Sequence, residues 1–230
     1  MIDLAHPTVL ITGASGGLGR PVTTAFLSAR ATVIAVALDF PEAASQPACT
    51  QIVADLTSAE QVDEVLAAAL CPTGKIDALV HITGGFAGGT PVHETDEATW
   101  DHMMNLNLKA AFLVTRAVLR PMIDVRYGRI VAVGARPGVV PVAGLSAYSA
   151  SKAGLHALIQ TIALEGKEHG ITANAVMPSI IDTAANREAM PDADFSKWVA
   201  PDSIARQILW LCSEEAADVS GALLPVYGQS

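Results

Sequence analysis

The sequence predicts an α/β protein built on a doubly wound parallel sheet with helices on both faces, and three observations carry that expectation. Short apolar runs rich in β-branched residues alternate with longer stretches of helical periodicity almost from end to end. The short runs are apolar at nearly every position rather than at every second one, as strands covered on both faces require. A glycine-rich turn, Gly13 to Gly19, also leads directly from the first such run into the first helical stretch.

In chain order, the runs expected as strands fall at 8–11, 32–38, 51–53, 78–82, 129–133 and 172–177, with a last strand at 222–226. Val9-Leu10-Ile11 and the run from Val33 to Leu38 are the clearest, being unbroken and apolar. Between the strands, helical patterns occupy 17–29, 59–69, 97–118, 149–169 and 201–211. No internal repeat, low-complexity tract or linker divides the chain, so residues 1–230 are expected to form a single domain. The stretch 179–199, with Pro191 and scattered acids, is the least regular and reads either as a lid over a site or as a surface loop.

Composition narrows the function. Hydrophobic residues make up 51% of the chain, enough for a large core with apolar helix faces left for a second subunit. A formal net charge of −9 argues against nucleic-acid partners and anionic membrane surfaces. Cys49, Cys71 and Cys212 lack metal-ligand spacing and read as reduced thiols, and no metal site is expected. No apolar run approaches a membrane span, and Met1 to His6 lack the basic-then-apolar order of a signal peptide. The expected location is cytoplasmic.

Two motifs carry chemistry. In Thr12-Gly13-Ala14-Ser15-Gly16-Gly17-Leu18-Gly19 the glycines permit a tight turn, close approach of a pyrophosphate, and packing of helix on strand. Far downstream, Tyr148 and Lys152 stand four apart, on one face of a helix. An ammonium there favours the phenolate, so the phenol is expected to exchange a proton near neutral pH while hydride moves at the neighbouring carbon. The glycine spacing and the Tyr–Lys pair together resemble the short-chain dehydrogenase/reductase family, over the whole chain. That resemblance implies a nicotinamide dinucleotide cofactor, a small-molecule substrate, and a homodimer or homotetramer joined through the helices at 97–118 and 149–169.

The same resemblance assigns further positions. Gly13, Ser15, Gly16, Gly17, Leu18 and Gly19 would cradle the cofactor; Asp55, with Leu56 beside it, would meet the adenine; Gly84, Pro178 and Thr183 would lie around the nicotinamide. Lys152 would bind the nicotinamide ribose as well as tune Tyr148, and Asn107 would support the lysine through water. Where the family has Asn-Asn-Ala-Gly this chain reads His81-Ile82-Thr83-Gly84, and His81 reads as a packed strand-end side chain rather than a catalyst. The family's ribose-reading acid falls at Ala37, which makes Asp39 the nearest acid. No Lys or Arg occurs between residues 31 and 74, which favours NAD over NADP. Arg20 or Arg30 could still reach a 2′-phosphate, so NADP is not excluded.

The family places a serine thirteen residues before the tyrosine to hold the substrate oxygen, and here that residue is Ala135. Three readings stay open: a protein that binds dinucleotide without catalysis, replacement of the hydroxyl by Ser146 or a water, or a substrate whose acceptor needs no polarisation. The alanine, the run Gly84-Gly85-Phe86-Ala87-Gly88-Gly89 and the tract from Asn186 to Trp198 resemble quinonoid dihydropteridine reductases, which favours the third. In that reading Phe86 and Trp198 are candidate walls for a flat heterocycle beside Ala135 and Tyr148. A ketone or 3-oxoacyl substrate is the alternative.

Overall fold

The computed structural model describes residues 7–41 and 46–229; the segment read for a signal peptide lies outside the described residues. The strands are β1 (Thr8–Thr12), β2 (Thr32–Ala37), β3 (Cys49–Val53), β4 (Ala78–His81), β5 (Gly128–Val133), β6 (Ile171–Pro178) and β7 (Leu223–Val226). They form one sheet in the order β3-β2-β1-β4-β5-β6-β7, parallel throughout. The doubly wound sheet expected from the sequence is the fold found.

The helices are α1 (Gly19–Ser28), α2 (Ala59–Leu70), α3 (Glu97–Met103), α4 (Ala110–Val125), α5 (Ser146–Gly166), α6 (Ala184–Ala189) and α7 (Pro201–Leu211). Strand alternation divides the core in two. Leu10, Ile34, Leu79 and Ile130 face the layer of α2, α4 and α5, where they meet Val65, Val114 and Ile159. Val9, Val33, Val80 and Val131 face α1 and α7, against Phe26, Ile204 and Ile208. Burying each such side chain contributes roughly 1.5–3 kcal/mol. This two-sided demand is why the strand runs lack polar alternation.

The chain winds outward one way from β1 and the other way from β4, which are neighbours. A crevice therefore opens at their C-terminal ends, where Thr12 and His81 stand in register.

Two helices differ from expectation. The helix expected at 97–118 runs on to Val125 and contains a π-helical turn, Met104–Lys109, between α3 and α4. The wider turn rotates Asn107 inward, where it is fully buried. The helix expected from residue 149 starts at Ser146, because Gly144, at φ +80°, turns the chain into it three residues sooner. In the irregular stretch 179–199, α6 and a short 3₁₀ turn (Phe195–Lys197) form, pinned by a bridge between Ile181 and Val199. Among the described residues no helix is long and apolar enough to cross a membrane, and no cluster of three His, Cys, Asp or Glu is placed to hold a metal.

Candidate active site

The glycine turn is shaped by what touches it. Gly13 has φ +65°, and a Cβ there would stand 2.9 Å from the Thr83 nitrogen, so the turn packs directly on the chain leaving β4. A Cβ on Gly19 would come within 2.1 Å of the Gly13 carbonyl oxygen, so only glycine lets α1 approach β1 this closely. At Gly17 it would meet Thr183 Cγ2 at 2.8 Å, so Thr183, from the stretch 179–199, lies against the turn. No side chain caps the first turn of α1, so its N–H groups and the positive end of its dipole are open to an anion. Gly16 N–H donates to Gly13 O and Arg20 Nε to Ser15 O, which holds the turn in shape. The cradle fits a dinucleotide pyrophosphate, with one refinement: the Leu18 side chain is core, packed with Val22 and Phe26, so only its backbone faces the turn.

The other cofactor positions follow the strand ends. Asp39 is exposed just beyond β2, while Ala37 is buried in the strand. Asp55 Oδ1 accepts from Thr57 N–H at 2.9 Å and Thr57 Oγ1 at 2.8 Å. Those bonds, the backbone one first, hold its carboxyl below the usual range. Leu56 is a core side chain and can offer a ligand only its backbone. Pro178 ends β6, buried, and Thr183 caps α6 by accepting from Asn186 N–H.

Tyr148 and Lys152 share one face of α5, with Tyr148 half-buried and Lys152 only 5% exposed. Lys152 Nζ donates to the Val133 carbonyl at 2.9 Å. A Cβ on Gly84 would stand 3.2 Å from that Nζ and 2.8 Å from Asn107 Oδ1, so Gly84 lies against both groups. Asn107 clamps the chain after β4 to α5. Its Oδ1 accepts from Gly85 N–H, and its Nδ2 donates to Gly85 O and to Ser151 Oγ. Ser151 Oγ–H in turn donates to the Tyr148 carbonyl. The Asn107 side chain thus braces the loop and the tyrosine's own turn, and its Oδ1 lies against Gly84 on the same side as Lys152 Nζ.

The expected easing of tyrosine ionisation also needs correction. Burial pushes the Tyr148 phenol up to about 12, and burial pulls Lys152 down to about 8. The ammonium donates to a carbonyl of β5, and burial is the cause that prevails at the phenol, so Tyr148 is held protonated.

Around the hydroxyl, Phe86 sets its ring edge-on to Tyr148, centroids 5.0 Å apart, and is 65% exposed, which suits a wall at the mouth. Trp198 does not match its expected role: it is buried and packs against Phe195 at 4.7 Å, within the stretch 179–199. Ala135 is 4% exposed, and its backbone N–H is already given to His156 Nε2 at 3.3 Å. Ser146, proposed as a substitute hydroxyl, sits 3.3 Å from Thr95 Oγ1. His156 escaped the sequence reading, although its place four residues after Lys152, on the same helix face, was the available signal.

The tract 186–198 is largely explained by contacts within the stretch 179–199 itself. Asn186 Nδ2 donates to Ile181 O, and Arg187 pairs with Asp182 and lies over Phe195. Asp194 caps the 3₁₀ turn through Ser196. The residues that make the tract distinctive fold it back on itself.

Against known proteins, the short chain dehydrogenase family model matches residues 7–194. The chain belongs to the short-chain dehydrogenase/reductase family. The 3-oxoacyl-[acyl-carrier-protein] reductase of Thermotoga maritima is 32% identical over 235 residues, covering 95% of each chain. The (2S)-[(R)-hydroxy(phenyl)methyl]succinyl-CoA dehydrogenase subunit of Thauera aromatica is 31% identical over 244 residues, covering 99% of this chain and 97% of that one. A solved oxidoreductase of the short-chain dehydrogenase/reductase family from Burkholderia thailandensis superposes with a TM-score of 0.86 at 35% identity, over 97% of this chain and 92% of that one. These findings support a short-chain NAD(P)-dependent oxidoreductase. The likeness to dihydropteridine reductases still rests on the residues that suggested it.

Proposed function

We propose that this short-chain oxidoreductase interconverts a carbonyl and a hydroxyl group on a small, electron-poor substrate. The observation that carries the reading is a protonated phenol, Tyr148, one helical turn from a buried lysine and beside the cofactor cradle. A nicotinamide dinucleotide held there supplies or accepts the hydride. Tyr148 donates the proton to the substrate oxygen, and Lys152 stabilises the phenolate left behind. Asn107 keeps the loop at Gly85 and the turn at Tyr148 in fixed relation, and Phe86 walls the substrate side.

The two thioester-type relatives favour hydroxyl–carbonyl chemistry. A charge of −9 disfavours a strongly acidic carrier protein as partner, so a small ketone or thioester is preferred. A second reading, reduction of a quinonoid dihydropterin, is favoured by the absence of a free donor at Ala135. Stopped-flow oxidation of reduced nicotinamide with acetoacetyl-CoA, an activated diketone and freshly generated quinonoid dihydropterin separates the two. The first reading expects turnover of the thioester or diketone; turnover of the pterin alone would replace it with the second.

For the cofactor we favour NAD. Asp39 is the acid nearest the end of β2, and Arg30 follows α1 at the N-terminal end of β2, away from the crevice. Arg20 is the cation beside the glycine turn and is held to Ser15 O. Fluorescence titration is expected to give NADH a preference over NADPH of roughly tenfold, about 1.4 kcal/mol. Tighter binding of NADPH that is lost in Arg20→Ala would reverse the assignment.

A homodimer or homotetramer, working in the cytoplasm, completes the reading. Phe112 on α4 and Leu164 on α5 are apolar and exposed, Leu164 at 78%, on the helices expected to join subunits. Sedimentation at micromolar concentration should show a dimer or larger, and a stable monomer would remove this part.

A further inference from the structure

β4 and β5 pair only as far as His81 and Ala132, and β5 runs on past that point. Successive residues of a strand point their backbone groups to alternate sides. Gly134, the residue after β5, gives its N–H to Val176 O of β6 at 2.8 Å. The groups that flank it, Val133 O and Ala135 N–H, therefore face the other way, into the gap left where β4 ends. One more rung of β4 would have brought Val133 O a donor and Ala135 N–H an acceptor. Instead the chain after His81 turns off through Gly84 and Gly85, where Asn107 holds it.

Two side chains of α5 take the places of the missing rung. Lys152 Nζ donates to Val133 O at 2.9 Å, and His156 Nε2 accepts from Ala135 N–H at 3.3 Å, both bonds being buried. The two side chains stand one turn apart, on the helix face that also carries Tyr148. The imidazole is closely fitted. A Cβ on Gly134 would collide with His156 Nε2, and one on Gly138 would stand 2.7 Å from Cε1, so the ring fills the space that two glycines leave open. Gly138 also lies against the α5 backbone at Lys152 and Ala153. Burial and then the Lys152 charge pull His156 down to about 4, while the Gly138 backbone acts the other way in a geometry short of a hydrogen bond. The ring is thus neutral at physiological pH, as an acceptor at Nε2 requires.

We infer that His156 is a positioning residue: with Lys152 it completes the edge that β4 vacates, its Nε2 standing in for the missing carbonyl at Ala135 N–H, and so fixes the end of β5 against the helix that carries Tyr148. Without that acceptor Ala135 N–H would be a buried donor with no partner. The end of β5 would then hang on Lys152 alone, and the carbonyl that anchors the lysine would loosen with it. The effect on turnover rests on the function proposed above; the clasp itself does not.

Wild type, His156→Gln, His156→Asn and His156→Leu, each checked for a cooperative melting transition, test this in two ways. Glutamine can place an amide oxygen where Nε2 stands, whereas asparagine is too short and leucine has no acceptor. In ¹⁵N-labelled protein without substrate, the Ala135 amide should exchange at least about tenfold faster in the leucine and asparagine variants, and glutamine should restore most of the protection. With NADH and an activated diketone, kcat should fall roughly tenfold in those two variants, the scale of a displacement well short of 1 Å. KM and NADH affinity should stay within about twofold of wild type, and glutamine should recover most of the lost kcat. Unaltered exchange at Ala135 in a folded leucine variant overturns the clasp. Faster exchange with kcat unchanged, or a kcat that falls equally with glutamine, leaves the ring as filler and overturns the positioning. A wild type that turns over none of the proposed substrates removes the function proposed above, and the exchange comparison then decides alone.

Discussion

Tyr148→Phe is expected to lower turnover by roughly 10²–10⁴-fold, the usual worth of a positioned general acid, while NADH affinity and thermal stability stay near wild type. The substitution deletes one oxygen. The ring and its contact with Phe86 remain, and so does Ser151 Oγ–H on the Tyr148 carbonyl, because that bond goes to the backbone. Among the described residues no hydrogen bond depends on the hydroxyl, so what is lost is proton delivery. A protein that bound dinucleotide as a non-catalytic sensor would show no change in any readout. Unaltered turnover in a folded Phe variant would therefore retire the catalytic account, and stopped-flow measurement at saturating NADH makes the comparison.

The pH dependence follows from the same pair. Tyr148, pushed up to about 12, stays protonated through the physiological range, so its own titration does not limit reduction there. Lys152, pulled down to about 8, loses its charge as pH rises through that value. A neutral amine no longer stabilises the phenolate that proton donation leaves behind. Reduction should therefore fall above about pH 8. For stability the sign is opposite to that of a salt-bridged lysine. A depressed folded-state value means that burying the ammonium opposes folding fully below about 8, and the cost fades as pH rises toward the unfolded value.

How much of this was legible in the sequence depended on the range of the interactions involved. The strands were legible because burial on both faces removes polar alternation, and Val33 to Ala37 is apolar throughout. The glycine turn was legible because a 2.1 Å clash excludes any side chain at Gly19. The π-helical turn at Met104–Lys109 was not, since one extra residue per turn leaves the composition unchanged and appears only as a rotated Asn107. The direction of the tyrosine shift was hidden for a related reason. Residues four apart predict that Lys152 is near, but only the fold shows its charge committed to Val133 O. Trp198 misled because an aromatic in a variable loop fits a substrate wall and the loop's own core equally well, and Phe195 decides for the core.

Ala135→Ser is expected to raise turnover of an unactivated ketone by roughly 10²-fold, the lower end of what one oxyanion donor contributes, and to leave an electron-poor acceptor almost unaffected. Position 135 supplies no donor at all in the structure. The side chain is a methyl group, and the N–H is given to His156. Arg136, the next residue, stacks over Tyr227. That leaves Tyr148 as the hydroxyl positioned to both polarise and protonate a substrate oxygen. A serine hydroxyl there would add a second hydrogen bond that strengthens as charge develops on oxygen, which acts on the transition state more than on the bound substrate. The gain should therefore fall in kcat rather than KM. The site is tight, at 4% exposure, so the extra oxygen must turn toward the substrate side or pair within the protein. Equal gains on activated and unactivated acceptors would mean that the substitution works by reshaping the pocket. No gain on either, with the protein folded and NADH bound, would mean that oxygen polarisation does not limit this enzyme and that its natural acceptor needs none, the outcome the dihydropterin reading requires.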